Sequence, residues 1–190
     1  MIKAVVAGAA GRMGGRIIHM IHQSEEITLT GSFERPDHPA IGKDAGEIVG
    51  LEKMGIDLTA DISDAMKDAD VLIDFTTPES TLYNTRFINK TGKAMVIGTT
   101  GITGADEKKL QLLAQNIRCV RSPNMSVGVN VLFKVVKDLS LILGKDWDME
   151  VVEAHHRLKK DAPSGTAMHL ARILADSTEK NLERAAVYER

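Results

Sequence analysis

Short apolar runs alternate along the chain with longer stretches in which apolar residues recur every three or four positions. Residues 2–8 (IKAVVAG), 27–33 (ITLTGSF), 71–76 (VLIDFT), 93–99 (KAMVIGT) and 117–122 (IRCVRS) read as strands buried on both faces. Helical periodicity fills the intervals at about 11–23, 61–68, 79–91 and 104–115. Residues 36–60 are rich in Gly, Asp and Lys and carry a weaker signal, with a short strand expected at GIDLT. Strand and helix in alternation predict a parallel sheet covered by helices on both sides, the α/β doubly wound (Rossmann) class.

After Pro123 the rhythm changes. Residues 126–144 predict one long apolar helix with Val127, Val131, Val135, Leu139 and Ile142 on a single stripe. A strand over 149–155 and a helix over 165–178 are expected to follow it. The division predicted is a dinucleotide-binding domain over 1–125 and the N-terminal part of an α+β substrate domain over 126–190. Because 149–155 has no second strand to pair with, that second domain reads as incomplete.

Composition narrows the function classes. With 43% hydrophobic and 26% charged residues, the 190-residue chain belongs to the globular class and is long enough to bury a core. A formal net charge of -2 argues against bulk attraction to nucleic acid or an anionic membrane, so a basic patch must act locally. Cys119 is the single cysteine, which excludes an intrachain disulfide framework, and its apolar setting predicts a buried, inert thiol. The N-terminus breaks into glycines after a short apolar run and reads as neither a signal peptide nor a membrane span, so a cytoplasmic protein is expected.

Two stretches carry chemistry. The first, GAAGRMGG, places Gly8, Gly11 and Gly14 between a predicted strand and a predicted helix, where a glycine turn lets a pyrophosphate approach backbone N–H groups. Its spacing is G-x-x-G-x-x-G, with Ala9 and Ala10 in the first gap, and Arg12 inside the turn is placed to approach phosphate. Glu34 lies 20 residues beyond Gly14, at the end of the second strand, where an acidic side chain accepts hydrogen bonds from ribose hydroxyls. Arg35 beside it suits a 2'-phosphate, so the pair suggests tolerance of both NADH and NADPH. The competing account is an exposed salt-bridging loop. Gly98, Thr99, Thr100 and Asn124 follow later strands and are placed to meet the nicotinamide half.

The second stretch is HHRLKKDAPSGT, residues 155–166. Adjacent strand residues point to opposite faces, so His155 and His156 are poorly placed to share a metal ion, and no metal is expected. An anion site fits better. Ser164 resembles an N-cap, the amides of Gly165 and Thr166 would open a helix, and Lys159 adds a movable positive charge. His155 and His156 titrate near neutral pH and can give a proton. A solvated basic turn ahead of a capped helix is the plainer alternative. His19, His22, His38 and His169 are assigned nothing.

GAAGRMG, ER at 34–35, DFT, VIGTTG, SPNMSVGVN and above all EAHHRLKKDAPSGTA together resemble the 4-hydroxy-tetrahydrodipicolinate reductase (dihydrodipicolinate reductase) family, over residues 2 to about 188. The resemblance implies NADPH- or NADH-dependent reduction of a small dicarboxylate substrate in lysine and diaminopimelate biosynthesis. It implies proton transfer by His155 and Lys159, and substrate contacts from His156, Gly165 and Thr166. Cofactor contacts carry over to Gly8, Ala9, Ala10, Gly11, Arg12, Met13, Glu34, Arg35, Gly98, Thr99, Thr100, Ser122, Pro123, Asn124 and Met125. Ser122 and Met125 enter by resemblance alone. Leu158 stands where some members carry histidine, and Met125 where many carry phenylalanine. Full-length members are implied to be homotetramers and to continue past residues 187–190, so the chain reads as C-terminally truncated, with its activity and assembly in question. A cofactor-binding module without turnover, and a related oxidoreductase acting on another small acid, are the competing functions.

Overall fold

The computed structural model describes residues 1–157, 159 and 162–188, which leaves Leu158, Lys160 and Asp161 of the basic run outside the described residues. It divides into two compact units, Met1–Ser122 and Pro123–Arg190.

In the first unit, β1 (Ile2–Ala7), β2 (Ile27–Phe33), β3 (Leu58–Thr59), β4 (Val71–Asp74), β5 (Ala94–Ile97) and β6 (Arg118–Arg121) form one sheet in the order β3-β2-β1-β4-β5-β6. Every pairing is parallel. The helices are α1 (Arg12–His22), α2 (Ala45–Ile48), α3 (Ile62–Ala65), α4 (Pro78–Thr91) and α5 (Gly104–Ala114). This is the Rossmann order, and the chain reverses direction across the sheet between β1 and β4.

Alternation along β1 explains the two-sided burial. Ala4 and Val6 join Leu29, Ile18, Ile21 and Leu58 in one cluster, while Val5 and Ala7 join Phe33, Met66, Leu72, Ile88 and Leu110 in the other. A central strand must be apolar where both faces are buried, and the buried stretch Ala4–Ala7 is. Full burial of side chains such as Ile18, Leu72, Ile88 and Ile97 contributes about 1.5 to 3 kcal/mol each. Local chemistry sets the helix ends. Thr77 caps α4 by accepting from the Ser80 amide, Pro78 occupies its first turn, and Gly92 closes it in the left-handed region at φ 68°.

The weak stretch 36–60 folds around a single carboxylate. Asp44, 3% exposed, accepts the amides of Gly46, Glu47, Met54, Gly55 and Ile56 at 2.7–3.4 Å. The Met54 amide above all, with those of Glu47, Gly46 and Ile56, overcomes burial and holds the Asp44 carboxyl at about 2. The expected strand at GIDLT appears as the two residues of β3.

The second unit contains α6 (Val127–Leu143), a single 3-10 turn at Gly144–Asp146, α7 (Gly165–Ser177) and α8 (Leu182–Ala185). Helix α6 packs on α7, with the Phe133 and His169 rings in edge contact at 4.5 Å. One expectation fails here. Residues 149–155 form no strand, and no strand is found in this unit among the described residues. A strand needs a neighbour to take its N–H and C=O groups, and none is present there. The apolar stripe of α6 is exposed, most of all at its ends, Val127 by 80% and Ile142 by 81%. The face toward the core carries Phe133 and Ser140 instead.

Candidate functional site

The carboxyl ends of the parallel strands bring the first group of expected residues to one edge of the sheet. Gly8 follows β1 directly in the left-handed region, φ 63°, where a Cβ would also stand 2.8 Å from the Thr76 Cγ2 atom. Its amide and that of Ala9 donate to the Phe33 carbonyl at 3.0 and 3.3 Å, and the Gly11 amide donates to the Gly8 carbonyl at 2.9 Å. The turn is thereby closed on itself. Gly14 lies over it so tightly that a Cβ would sit 2.2 Å from the Gly8 carbonyl oxygen and 2.7 Å from the Ala9 Cα.

Helix α1 starts from this turn with Gly11 as N-cap, without a side-chain cap and without an acidic residue in its first turn. The amides of Arg12, Met13 and Gly14 therefore have no intrahelical acceptor, and the positive end of the helix faces the turn. Such a turn fits a pyrophosphate: the close approach needs glycine, and the uncapped amides need an anion.

At the end of β2, Glu34 is half-buried and accepts the Arg35 amide at 3.1 Å. The Arg35 guanidinium reaches Asp37 at 3.4 Å on the surface. Beyond β4 and β5 the strand ends are tied together under the surface. Asp74, wholly buried, accepts the Thr76 amide at 3.0 Å, the Thr76 hydroxyl at 2.6 Å and the Asn84 side-chain amide at 2.9 Å. Thr99 belongs to this network: its hydroxyl takes the Thr76 amide at 3.0 Å and the Thr81 hydroxyl at 2.8 Å. The Thr99 side chain is thus turned inward, between Gly98 and exposed Thr100. Gly98 has the Phe75 ring where a Cβ would be, 2.0 Å away, which locks the loop after β4 against the loop after β5. Sequence reading missed Asp74, although a carboxylate closing an apolar strand was the available signal. Ser122 ends this unit, its amide donating to the Ile97 carbonyl at 3.2 Å.

Pro123, Asn124 and Met125 open the second unit. The Asn124 side-chain amide donates to the Thr166 hydroxyl at 3.3 Å, while Asn124 Oδ1 accepts the Ser126 amide at 2.9 Å. Residues expected on different grounds, Asn124 and Thr166, are thereby brought together.

Ser164 is the N-cap of α7, its hydroxyl accepting the Ala167 amide at 3.1 Å. Gly165 and Thr166 form the first turn, which contains no acidic residue. Glu153 lies against this helix start. One carboxylate oxygen accepts the Ser164 amide at 2.8 Å, and the other accepts the Ser164 hydroxyl and meets His155 Nε2 at 2.8 Å. The Ser164 hydroxyl first, then its amide and the His155 ring, hold the Glu153 carboxyl down at about 2. Glu153 escaped the sequence reading. In the strand that the sequence predicts, positions 153 and 155 share a face, so the period of two was the signal. His156 is exposed, Lys159 is half-buried, and the Lys159 amide closes a turn onto the His156 carbonyl at 3.1 Å.

Of the remaining histidines, His19 bonds the Val49 carbonyl at 2.8 Å. Burial lowers the pKa of His169 and raises that of the half-buried Cys119 thiol. Among the described residues no helix is long and apolar enough to cross a membrane.

Comparison with known proteins covers both units. Residues 2–125 match the family model for dihydrodipicolinate reductase, N-terminus, and residues 128–189 the model for its C-terminus. The whole chain aligns with the 4-hydroxy-tetrahydrodipicolinate reductase of Syntrophobacter fumaroxidans at 47% identity and with that of Syntrophus aciditrophicus at 44%, covering 71% of each relative. Among solved structures, a dipicolinate-bound dihydrodipicolinate reductase from Paenisporosarcina sp. TG-14 superimposes with a TM-score of 0.72 at 28% identity, over 94% of this chain and 67% of that one. An oxidoreductase from Agrobacterium radiobacter in complex with NAD+, L-tartaric acid and magnesium shares the fold alone, at a TM-score of 0.54 and 15% identity.

Proposed function

The chain belongs to the dihydrodipicolinate reductase family, and from that premise we propose how its residues carry out the reduction of 4-hydroxy-tetrahydrodipicolinate to tetrahydrodipicolinate. The observation that carries the reading is the match of both family models in order along one chain that is 47% identical to a curated reductase throughout its length. The enzyme is an NAD(P)H-dependent oxidoreductase of lysine and diaminopimelate biosynthesis.

Residues 1–125 serve as the dinucleotide-binding domain and 126–190 as the substrate domain. The cofactor is held by the turn Gly8, Ala9, Ala10, Gly11, Arg12 and Met13, with the first-turn amides of α1 on the pyrophosphate. Glu34 takes the adenosine ribose, and Arg35 exchanges Asp37 for a 2'-phosphate when one is present; its exposed ion pair is weak enough to be given up. Gly98, Thr99, Thr100, Ser122, Pro123, Asn124 and Met125 complete the cofactor contacts. When bound, the reduced nicotinamide supplies the hydride.

Lys159, His156 and the amides of Gly165 and Thr166 hold the substrate carboxylates. An ammonium group and a helix start are the two cheapest ways to neutralise a carboxylate without a metal. The hydroxyl leaves with one ring proton as water, and hydride and one proton then add across the double bond left behind; the added proton comes from His155, with Lys159 as second donor. A cytoplasmic location fits the biosynthetic role and the cofactor pool.

Thermal shift separates the two halves of this reading. NADPH alone is expected to raise the melting temperature, and pyridine-2,6-dicarboxylate to raise it further. A shift with cofactor and none with dicarboxylate would contradict the substrate half.

A further inference from the structure

We infer that Glu153 is a positioning residue for the proposed reaction: it ties the His155 imidazole to the first turn of α7 and leaves Nδ1 as the nitrogen that exchanges a proton with substrate. The inference rests on the roles proposed above for His155, Gly165 and Thr166.

The contacts converge on one carboxylate. His155 Nε2 lies 2.8 Å from Glu153, the Ser164 amide donates to it at 2.8 Å, and the Ser164 hydroxyl donates as well. That hydroxyl in turn accepts the Ala167 amide at 3.1 Å, so an unbroken chain of hydrogen bonds runs from the imidazole into the helix. An ionised carboxylate has no proton to give, so Nε2 must carry the hydrogen of its bond. The neutral ring is thereby held in the Nε2–H tautomer with its lone pair on Nδ1, and the protonated ring carries its transferable hydrogen there.

The same carboxylate takes the amide of the N-cap residue, the outermost donor of α7. Gly165 and Thr166, the next two, keep amides without an intrahelical acceptor. One side chain thus holds both the proton donor and the turn that would receive the substrate carboxylate, so a displacement of either moves the other. Among the described residues from 149 to 159, the charged and titratable groups beside His155 are Glu150, Glu153, His156, Arg157 and Lys159; α7 presents uncharged Ser164 to the shared carboxylate.

The test compares Glu153→Gln and Glu153→Asp with the unaltered full chain, by proton NMR titration of the His155 ring and by steady-state kinetics. In Glu153→Gln the loss of the carboxylate partner is expected to change the ring's response to pH, with the pH profile of kcat changing with it. The kcat value is expected to fall about tenfold to a hundredfold, the size of effect known for carboxylates that orient a metal-bound histidine, with KM for NADPH unchanged. Glu153→Asp keeps the charge and is expected to recover part of kcat. An unmoved ring titration and pH profile in Glu153→Gln, even with lowered thermal stability, would reduce Glu153 to a helix cap and overturn the inference. If Glu153→Gln does not fold, Ser164→Ala carries the test: with the hydroxyl bond to Glu153 gone and only the amide bond left, the looser carboxylate is expected to lower kcat and raise KM for the dicarboxylate together, and no change in either would overturn it. Absence of turnover in the unaltered chain would instead count against the proposed reaction, while the ring titration would still decide the Glu153 coupling.

Discussion

Lys159→Ala is expected to raise KM for the dicarboxylate about tenfold to a hundredfold, and His155→Ala to lower kcat about a hundredfold to ten-thousandfold. The first figure follows from a charge-assisted contact to a carboxylate, whose loss costs about 1.5 to 3 kcal/mol. The second is the usual range for removing a positioned general acid. Lys159 is half-buried, and its amide donates to the His156 carbonyl at 3.1 Å. Lys159→Arg keeps the charge and is expected to recover binding more than turnover, because a guanidinium does not release its proton near neutral pH. Steady-state kinetics over both substrates check these values. Unchanged kcat and KM in both alanine variants would remove Lys159 and His155 from the mechanism.

Gly14→Ala is the second substitution with a large expected effect, and it acts on the other unit. The new Cβ would stand 2.2 Å from the Gly8 carbonyl oxygen, 2.8 Å from its carbonyl carbon and 2.7 Å from the Ala9 Cα. All three are backbone atoms, so no side-chain rotation relieves the clash. The Gly8 carbonyl also accepts the Gly11 amide, and the Gly8 amide is bound to Phe33, so moving the turn breaks the closure that shapes it. A loss of stability of about 3 kcal/mol and loss of detectable NADPH binding are expected, the first by denaturant unfolding and the second by calorimetry. Gly15→Ala is the control. Its Cβ would meet only the Val49 side chain, at 3.3 Å, and binding is expected to survive. Equal affinity in Gly14→Ala and the unaltered chain would show that the glycine turn does not receive the cofactor.

The contrast between the two units explains how much of the molecule was legible in its sequence. Strands buried on both faces announce themselves as unbroken apolar runs, and β1, β2, β4 and β5 fell where such runs predicted. Helix α4 declared both of its ends, through Pro78 and Gly92. Short-range chemistry of another kind left no periodic trace. Asp44 organises residues 43–57 through five amides that the side chain reaches only after the backbone has folded back on it, so the stretch read as weak. Residues 149–155 failed for the opposite reason: their alternation predicts a strand, but a ladder requires a neighbour, which local sequence does not supply. Val127 and Ile142 follow the same rule, since an apolar stripe is buried only where another layer meets it.

The candidate site divides in the same way. Gly8, Gly14 and Ser164 were legible because a turn and a cap impose their residue types. Asp74 and Glu153 were not singled out. Each acts through partners far along the chain, Thr99 for the first and Ser164 for the second.

The most direct test of the reductase assignment follows hydride itself. The full chain is incubated with 4-hydroxy-tetrahydrodipicolinate and NADPH deuterated at the transferable nicotinamide C4 position, and the product is analysed by mass spectrometry. One deuterium per molecule of tetrahydrodipicolinate, formed in step with NADPH oxidation, is the result predicted. Oxidation of NADPH without deuterium in the product, or no oxidation dependent on this substrate, would contradict it.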